Sequence, residues 1–388
     1  MDDPFSNSAD LKDELNEKSN SNTKPNSKKK LIIIIIIGII VLISIVLLVI
    51  FFVLRDNDKD SNSSSTISGK ISCIYSVNDI SSKIPLLSKD YQNINSGIKE
   101  IYINNKKISY TKEYNFPKEG NYNIHFLLGS KVNMDYMFKD INNIISVEVI
   151  ANSIVNIDSM KSVFEGCSNL MDVTIKDNNF KTNNVEDMSG MFNGCKSLII
   201  LDISSFDTSN VKTMTNMFNH CESITSINLE NFNTQKVNDM SYMFSNLYNL
   251  SSLSIFTFDT RNVKNMEYMF YNDYTIEDIN VCDFVTDNVE KMNGMFCNCS
   301  NLYQIYTDNF NTAKVTNFDY TFTNCTNLQL LNLYSFNTVN CNSFKEMFSG
   351  CKHLIVEINE IIENYANLLD IIIDSDINIR FVLSELPY

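Results

Sequence analysis

Apolar residues follow three regimes along this chain. From Leu31 to Leu54, 24 residues run without a charge, LIIIIIIGIIVLISIVLLVIFFVL. Between Ile71 and Ser130 the pattern is short-range: Ile98, Ile101 and Ile103 lead to the turn-forming pair Asn104-Asn105, and Tyr122, Ile124, Phe126 and Leu128 alternate with polar residues. Beyond Asn133 one pattern recurs. Phe138, Phe164, Phe192, Phe218, Phe244, Phe270, Phe296, Phe322 and Phe348 are spaced by 26 residues, except for one step of 28 between Phe164 and Phe192. A fixed period of roughly 20 to 50 residues marks a solenoid, a propeller or an array.

Each regime predicts its own element. A helix of 24 apolar residues rises about 1.5 Å per residue and spans a bilayer core of ~30 Å with some tilt. Residues 31–54 are therefore expected to form a transmembrane signal-anchor helix. The run is too long for the core of a cleaved leader, and no small-residue cleavage site follows it. Residues 1–30 read as a disordered tail, and 55–68 as a polar linker. The period-2 pattern predicts a small β-rich cap domain at 69–132. Residues 133–354 form the array. After Leu354 the repeat breaks, and 355–388 read as a C-terminal cap, a helix carrying Ile358, Ile361, Ile362, Tyr365, Leu368, Leu369 and Ile372 on one face, then a strand around Ile377, Ile379, Phe381 and Leu383.

Within a repeat, positions counted from the anchoring Phe have fixed characters. The third is Cys at 167, 195, 221, 299, 325 and 351, and the sixth is apolar, as at Leu198, Ile224 and Leu250. Triplets such as Leu201-Asp202-Ile203 and Leu331-Asn332-Leu333 alternate as strands do. A second Phe follows, at 180, 206, 232, 258, 284, 310 and 336. Val211, Met214, Met217 and Phe218 then fall at helical spacing, with Asp207-Thr208-Ser209-Asn210 in front as N-capping side chains. The expectation is an α/β solenoid, a right-handed array of parallel strands and short helices. Parallel crossovers set the hand.

The pattern L-x-x-L-x-L-x-x-F-x-T-x-x-V-x-x-M-x-x-M-F-x-x-C resembles the BspA-like leucine-rich repeats of bacterial and protist surface proteins. The resemblance covers over half of the chain. It implies a leucine-rich-repeat-like fold and a surface-exposed setting, with adhesion to proteins or other cells among the roles of such proteins.

Charge and composition narrow the partner. The chain has a net charge of −15 and a pI near 4.7, which argues against nucleic acid or anionic lipid. Lys24, Lys28, Lys29 and Lys30 precede the apolar run, whereas Arg55 and Lys59 are diluted by Asp56, Asp58 and Asp60 after it. This asymmetry predicts a cytoplasmic N-terminus and an extracellular or lumenal array. Asn62, Asn249, Asn298 and Asn324 begin glycosylation acceptor triplets. No G-x-G-x-x-G, P-loop or H-E-x-x-H occurs, and the three histidines, His125, His220 and His353, are dispersed. No enzyme, cofactor or metal site is expected. The recurring Cys are expected as reduced packing residues, with disulfides between adjacent rungs or a metal as the alternatives.

Partner contacts should use strand positions that the core leaves free. Asp202, Asn228, Asn280 and Tyr306 lie between the apolar pairs, Phe256 and Tyr334 occupy the outward position two residues further on, and Leu330 lies two residues before the central position. Aromatics in slots that are mostly Ser, Asn or Asp have the character of interface anchors. The sequence thus predicts a membrane-anchored recognition or adhesion protein that binds a protein or glycan. The alternatives are a cell-coat spacer joined side by side through helix faces bearing Tyr242 and Tyr268, and an intracellular membrane-tethered scaffold.

Overall fold

The structure is a computed structural model, and it describes residues 67–92, 97–175, 177–358 and 378–381. The expected tail, the apolar run Leu31–Leu54, most of the linker with Asn62, and the expected cap helix from Ile361 on lie outside the described residues, while Ile358, expected to begin that helix, ends the strand Ile355–Ile358 and pairs with Phe381. Among the described residues no helix is long and apolar enough to cross a membrane.

The segment before the array is built of strands. In chain order they are β1 (Gly69–Val77), β2 (Ile84–Pro85), β3 (Ile98–Ile103), β4 (Lys106–Ile108), β5 (Glu113–Tyr114) and β6 (Gly120–Leu128). Asn104 and Asn105 both adopt positive φ, 46° and 66°, and close the β3–β4 hairpin. Two asparagines in the left-handed region are the signature of a tight hairpin turn. β2 pairs with β5, antiparallel, off the main sheet.

The repeats continue this sheet. The strands that follow β6 in the chain are β7 (Lys131–Asn133), β8 (Ile144–Ala151), β9 (Val155–Ser159), β10 (Asp172–Thr174), β11 (Phe180–Lys181) and β12 (Ile200–Asp202), of which β8, β10 and β12 join this sheet. The seven-stranded order is β12-β10-β8-β1-β6-β3-β4, so β1 lies antiparallel against β8 and covers the open edge of the first coil. An uncovered edge would expose a row of unpaired peptide groups. β13 (Ser252–Leu253) and β14 (Asp278–Ile279) carry the parallel ladder on, and bridges at Gln304 and Leu330 extend it to β15 (Leu330–Asn332), β16 (Ile355–Ile358) and β17 (Asn378–Phe381). A second parallel ladder, β7-β9-β11 followed by the bridges Asp187–Thr213–Asp239–Asn265–Lys291, runs along another side of each coil.

The result is a β-solenoid of about nine turns. Its spine is the anchoring phenylalanines. Their rings stack nearly parallel from Phe138 to Phe348, with centroids 5.5–5.9 Å apart and planes within 10°. The second Phe, the Met pair and the third-position Cys fill the rest of the interior. The 28-residue step leaves the stack undisturbed, with Phe164 and Phe192 5.7 Å apart. Its two additional residues are accommodated between Ile175 and Phe180, where Asp177 accepts hydrogen bonds from the Ala151 and Asn179 amides.

Among the described residues the expected repeat helices do not form, and the solenoid is built of strands and turns and is not α/β. Val211, Met214, Met217 and Phe218 are all buried, as the spacing requires, but on consecutive turns. Met217 N–H donates to the Met214 carbonyl and Cys221 N–H to that of Phe218, closing i to i+3 turns. The intervening amides of Met214, Asn216, Phe218 and His220 donate to Asp239, Ser241, Met243 and Ser245 of the next coil. A helix would turn these amides inward along its own axis. Two residues per coil are left-handed, two before and two after the anchoring Phe, such as Asn216 (φ 56°) and His220 (φ 58°). A positive φ at the third residue of a turn is the type II form, which breaks a helix. Thr208, read as part of an N-cap, and Tyr242 and Tyr268, read as helix-face residues, are accordingly parts of turns and ladders.

Candidate functional site

The strand face is held in place by three interior or half-buried ladders. The first is made of threonines. Thr182, Thr208, Thr234, Thr260, Thr286, Thr312 and Thr338 are buried in successive coils. The hydroxyl of Thr208 donates to the Asn233 carbonyl at 2.9 Å and accepts the Asn233 N–H at 2.8 Å. The same double bond is made by Thr182, Thr234, Thr260 and Thr312. One hydroxyl thus satisfies both polar groups of a peptide in the next coil, at a corner where the ladder cannot.

The cysteines form the second ladder. All ten are free. The Sγ of Cys167, Cys195, Cys221, Cys299, Cys325 and Cys351 donates to the carbonyl of the anchoring Phe in the preceding coil, at 2.9–3.3 Å. Burial pushes the Cys167 thiol up to about 12 and raises Cys195 and Cys299 as well. Cys167, Cys195 and Cys299 are protonated packing groups with a donor to place, and not nucleophiles, whereas the Cys351 thiol is held lower by its hydrogen bond with Cys325. Asp273 stands in the same row. It is fully buried, its Oδ1 accepts the Leu247 amide at 2.8 Å, and its Oδ2 has no partner. Burial raises its carboxyl well above the ordinary range.

Asparagines form the third ladder. Asn272 Nδ2 donates to Asn246 Oδ1, Asn298 to Asn272, and Asn324 to Asn298, at 2.6–2.8 Å. All four have positive φ near 60°. The sequence carried a signal for this position, since it is Gly at 166, 194 and 350 and Asn at 246, 272, 298 and 324. Both residue types favour the left-handed region. The glycosylation candidates Asn298 and Asn324 are therefore ladder members whose Nδ2, the atom a glycan would occupy, already donates. Asn249 is exposed, but its Nδ2 donates to the Glu222 carbonyl at 2.7 Å.

On the strand face the predicted site residues divide into two groups. Asp202, Asn228 and Asn280 use their side-chain Oδ1 to accept the N–H two residues on, at Ser204, Glu230 and Cys282. Asn332 does the same to Tyr334. This Asx-turn closes the strand into the next corner, which is why the slot prefers Asn and Asp. Phe256, Tyr306 and Leu330 form the other group, 58%, 48% and 37% exposed on the coils of Phe244, Phe296 and Phe322. Tyr334 is half-buried and its hydroxyl is 3.1 Å from Glu357 Oε2, so it belongs to the end of the stack. The reading of the sequence missed Tyr303, which is 54% exposed three residues before Tyr306. A second exposed apolar group, Met171, Ile199 and Ile200, lies on earlier coils. It borders a cleft of about 380 Å³ lined by Ser76, Asn78, Asn142, Asn143, Met171 and Ser197 among others.

No group of three or more His, Cys, Asp or Glu among the described residues is arranged to hold a metal ion. Four overlapping stretches, residues 132–252, 158–278, 220–305 and 271–371, match one family model, described as Mycoplasma protein of unknown function, DUF285. No curated protein matches the chain.

Proposed function

Starting from the finding that the chain belongs to the DUF285 family, whose model matches across residues 132–371, we propose that it is a single-pass membrane-anchored surface protein whose solenoid recognises a protein or glycan through its strand face. The observation that carries this reading is the group Phe256, Tyr303, Tyr306 and Leu330. These are four large apolar side chains left in solvent; the slots of Phe256, Tyr306 and Leu330 are mostly polar in other coils, as at Ser204, Ser254 and Ser252, whereas that of Tyr303 is also apolar at Met171 and Ile199. Large apolar side chains gathered on one face of a polar surface mark an interaction site, and aromatic residues are its usual anchors. The coil stack is a rigid platform for such anchors, because coils are bonded to their neighbours through peptide ladders supplemented by hydroxyl, thiol or amide rungs.

In this reading the chain binds and does not catalyse. Leu31–Leu54 anchors it, with the N-terminus cytoplasmic and the solenoid outside the cell or in a lumen, and the BspA-like character of the repeat supports that setting. The cell-coat alternative uses the turn face instead, where Tyr242 and Tyr268 stack at 5.0 Å. The test is attachment of fluorescently labelled chain to intact cells. Phe256→Ser, Tyr303→Ser and Tyr306→Ser together should abolish attachment and leave the unfolding midpoint in place, while Tyr242→Ser with Tyr268→Ser should not affect it. Undiminished attachment of the first variant sinks the reading.

A further inference from the structure

The acidic residues of the solenoid fall into two populations. On the turn faces and the second ladder several are matched across coils by lysines. Examples are Lys139–Glu165 at 3.2 Å, Lys161–Asp187 at 3.4 Å, Lys196–Glu222 at 2.9 Å, Lys212–Glu186 at 2.7 Å and Lys291–Glu267 at 3.3 Å. The strand face is different. From the coil of Phe192 to that of Phe322, positions seven to thirteen after the anchoring Phe hold Asp202, Glu230, Glu277, Asp278, Asp283 and Asp308, and no Lys or Arg. Glu230, Glu277, Asp278 and Asp308 are exposed, and none of them is in a salt bridge among the described residues.

These carboxylates are interleaved with the exposed apolar group. The ladder register places Ser252, Asp278, Gln304 and Leu330 opposite one another in successive coils. Phe256 therefore sits one coil before Asp278, and Tyr303, Tyr306 and Asp308 share the coil between Asp278 and Leu330. Coils in a parallel ladder are ~4.8 Å apart, so the four coils from Phe256 to Leu330 cover about 14 Å, which an extended peptide spans with about five residues. A face that alternates ring planes with unmatched carboxylates suits one side chain above others. The guanidinium of Arg stacks on aromatic faces and pairs with carboxylates through a planar fork, whereas the ammonium of Lys is more strongly hydrated and does neither as well.

Resting on the recognition reading above, we propose that the partner of this face is an extended, arginine-rich segment of another protein, lying across the coils between Phe256 and Leu330. The long-range field of unmatched carboxylates speeds encounter, and the tyrosines and Phe256 hold the bound segment.

The test uses the full chain in detergent and a fluorescein-labelled decaarginine peptide, with decalysine and decaglutamate as comparators. Decaarginine should bind more tightly than decalysine, and decaglutamate should not bind. Glu230→Gln, Glu277→Gln, Asp278→Asn and Asp308→Asn together should weaken decaarginine at least tenfold and flatten its dependence on salt. The control variant Glu165→Gln, Glu186→Gln, Glu222→Gln and Glu267→Gln removes the same charge elsewhere and should weaken it less than twofold. An equal loss in the two variants, or no loss in the first, overturns the proposal. Cell attachment separates this failure from failure of the recognition reading. If the aromatic variant loses attachment but the acid variant keeps its affinity for decaarginine, the face binds a partner of other chemistry. If the aromatic variant keeps attachment, the recognition reading itself is wrong.

Discussion

Thr234 and Asp259 lie 25 residues apart in sequence and share two hydrogen bonds through one oxygen. The Thr234 hydroxyl donates to the Asp259 carbonyl at 3.0 Å and accepts the Asp259 N–H at 2.7 Å. The hydroxyl is buried, so no water replaces it. Thr234→Val keeps the shape and removes both bonds. Each unsatisfied buried peptide group costs about 1–3 kcal/mol, so a loss of roughly 2–6 kcal/mol in a urea titration is expected. Thr234→Ser keeps the hydroxyl and should lose about 1 kcal/mol. Hydrogen exchange at the Asp259 amide should accelerate in the first variant only.

Asn272 combines a left-handed backbone (φ 64°) with a place in the asparagine ladder. Asn272→Gly keeps the backbone freedom and loses the amide. Asn272→Ala loses both, and a Cβ in the left-handed region adds about 1–2 kcal/mol. The alanine variant should therefore unfold at lower urea than the glycine variant. Equal midpoints would mean that the backbone conformation is not what selects this residue.

Asp273 makes stability depend on pH. Burial raises its carboxyl in the folded state, while the unfolded chain releases the proton above about pH 4. Its stabilising share is complete below that pH and is lost as pH rises toward the raised folded value. Asp273→Cys restores the row to its usual residue and removes a buried oxygen without a partner. The substitution should raise stability at pH 7 by roughly 1–3 kcal/mol. It should also flatten the decline between pH 4 and 7, measured by urea titrations across that range. An unchanged slope would assign the pH dependence to other groups.

The thiols should differ in reactivity. Cys282 is only partly buried, whereas the ladder cysteines are buried and donate to carbonyls. The thiol of Cys167 is pushed up from 9.0 to about 12, which lowers its thiolate fraction at pH 8 by about a thousandfold. Iodoacetamide on the folded chain should modify Cys282 first, with the ladder cysteines reacting only after unfolding, as read by peptide mass mapping. Early modification of Cys195 or Cys221 would show that the coils open locally.

The sequence made the repeat legible because burial imposes a period that no other feature mimics. Each anchoring Phe, second Phe, Met pair and ladder Cys was placed correctly as interior from spacing alone. The helices were not. Residues three apart face one side both in a helix and in a chain of three-residue turns, so Val211, Met214 and Met217 satisfy either. The distinguishing signal was the Gly and Asn two residues after the Phe, a backbone requirement that hydrophobic periodicity does not report. At the candidate site, Phe256, Tyr306 and Leu330 were legible as outliers in their slots. Asp202, Asn228 and Asn280 looked equally free, but each closes an Asx-turn, and Tyr303 was hidden because its slot had not been read as outward.

The sequence by itself therefore determined which side chains are buried and how many coils exist, since both follow from local pattern repeated at one period. Only the tertiary structure decided where the peptide groups go. Their partners lie one coil away, about 25 residues on, and it is those bonds that turn a helical spacing into turns and make Thr208 and Thr234 rungs of a ladder. They also leave the carboxylates of Glu277, Asp278 and Asp308 on a stretch of strand face, from the coil of Phe192 to that of Phe322, that carries no lysine.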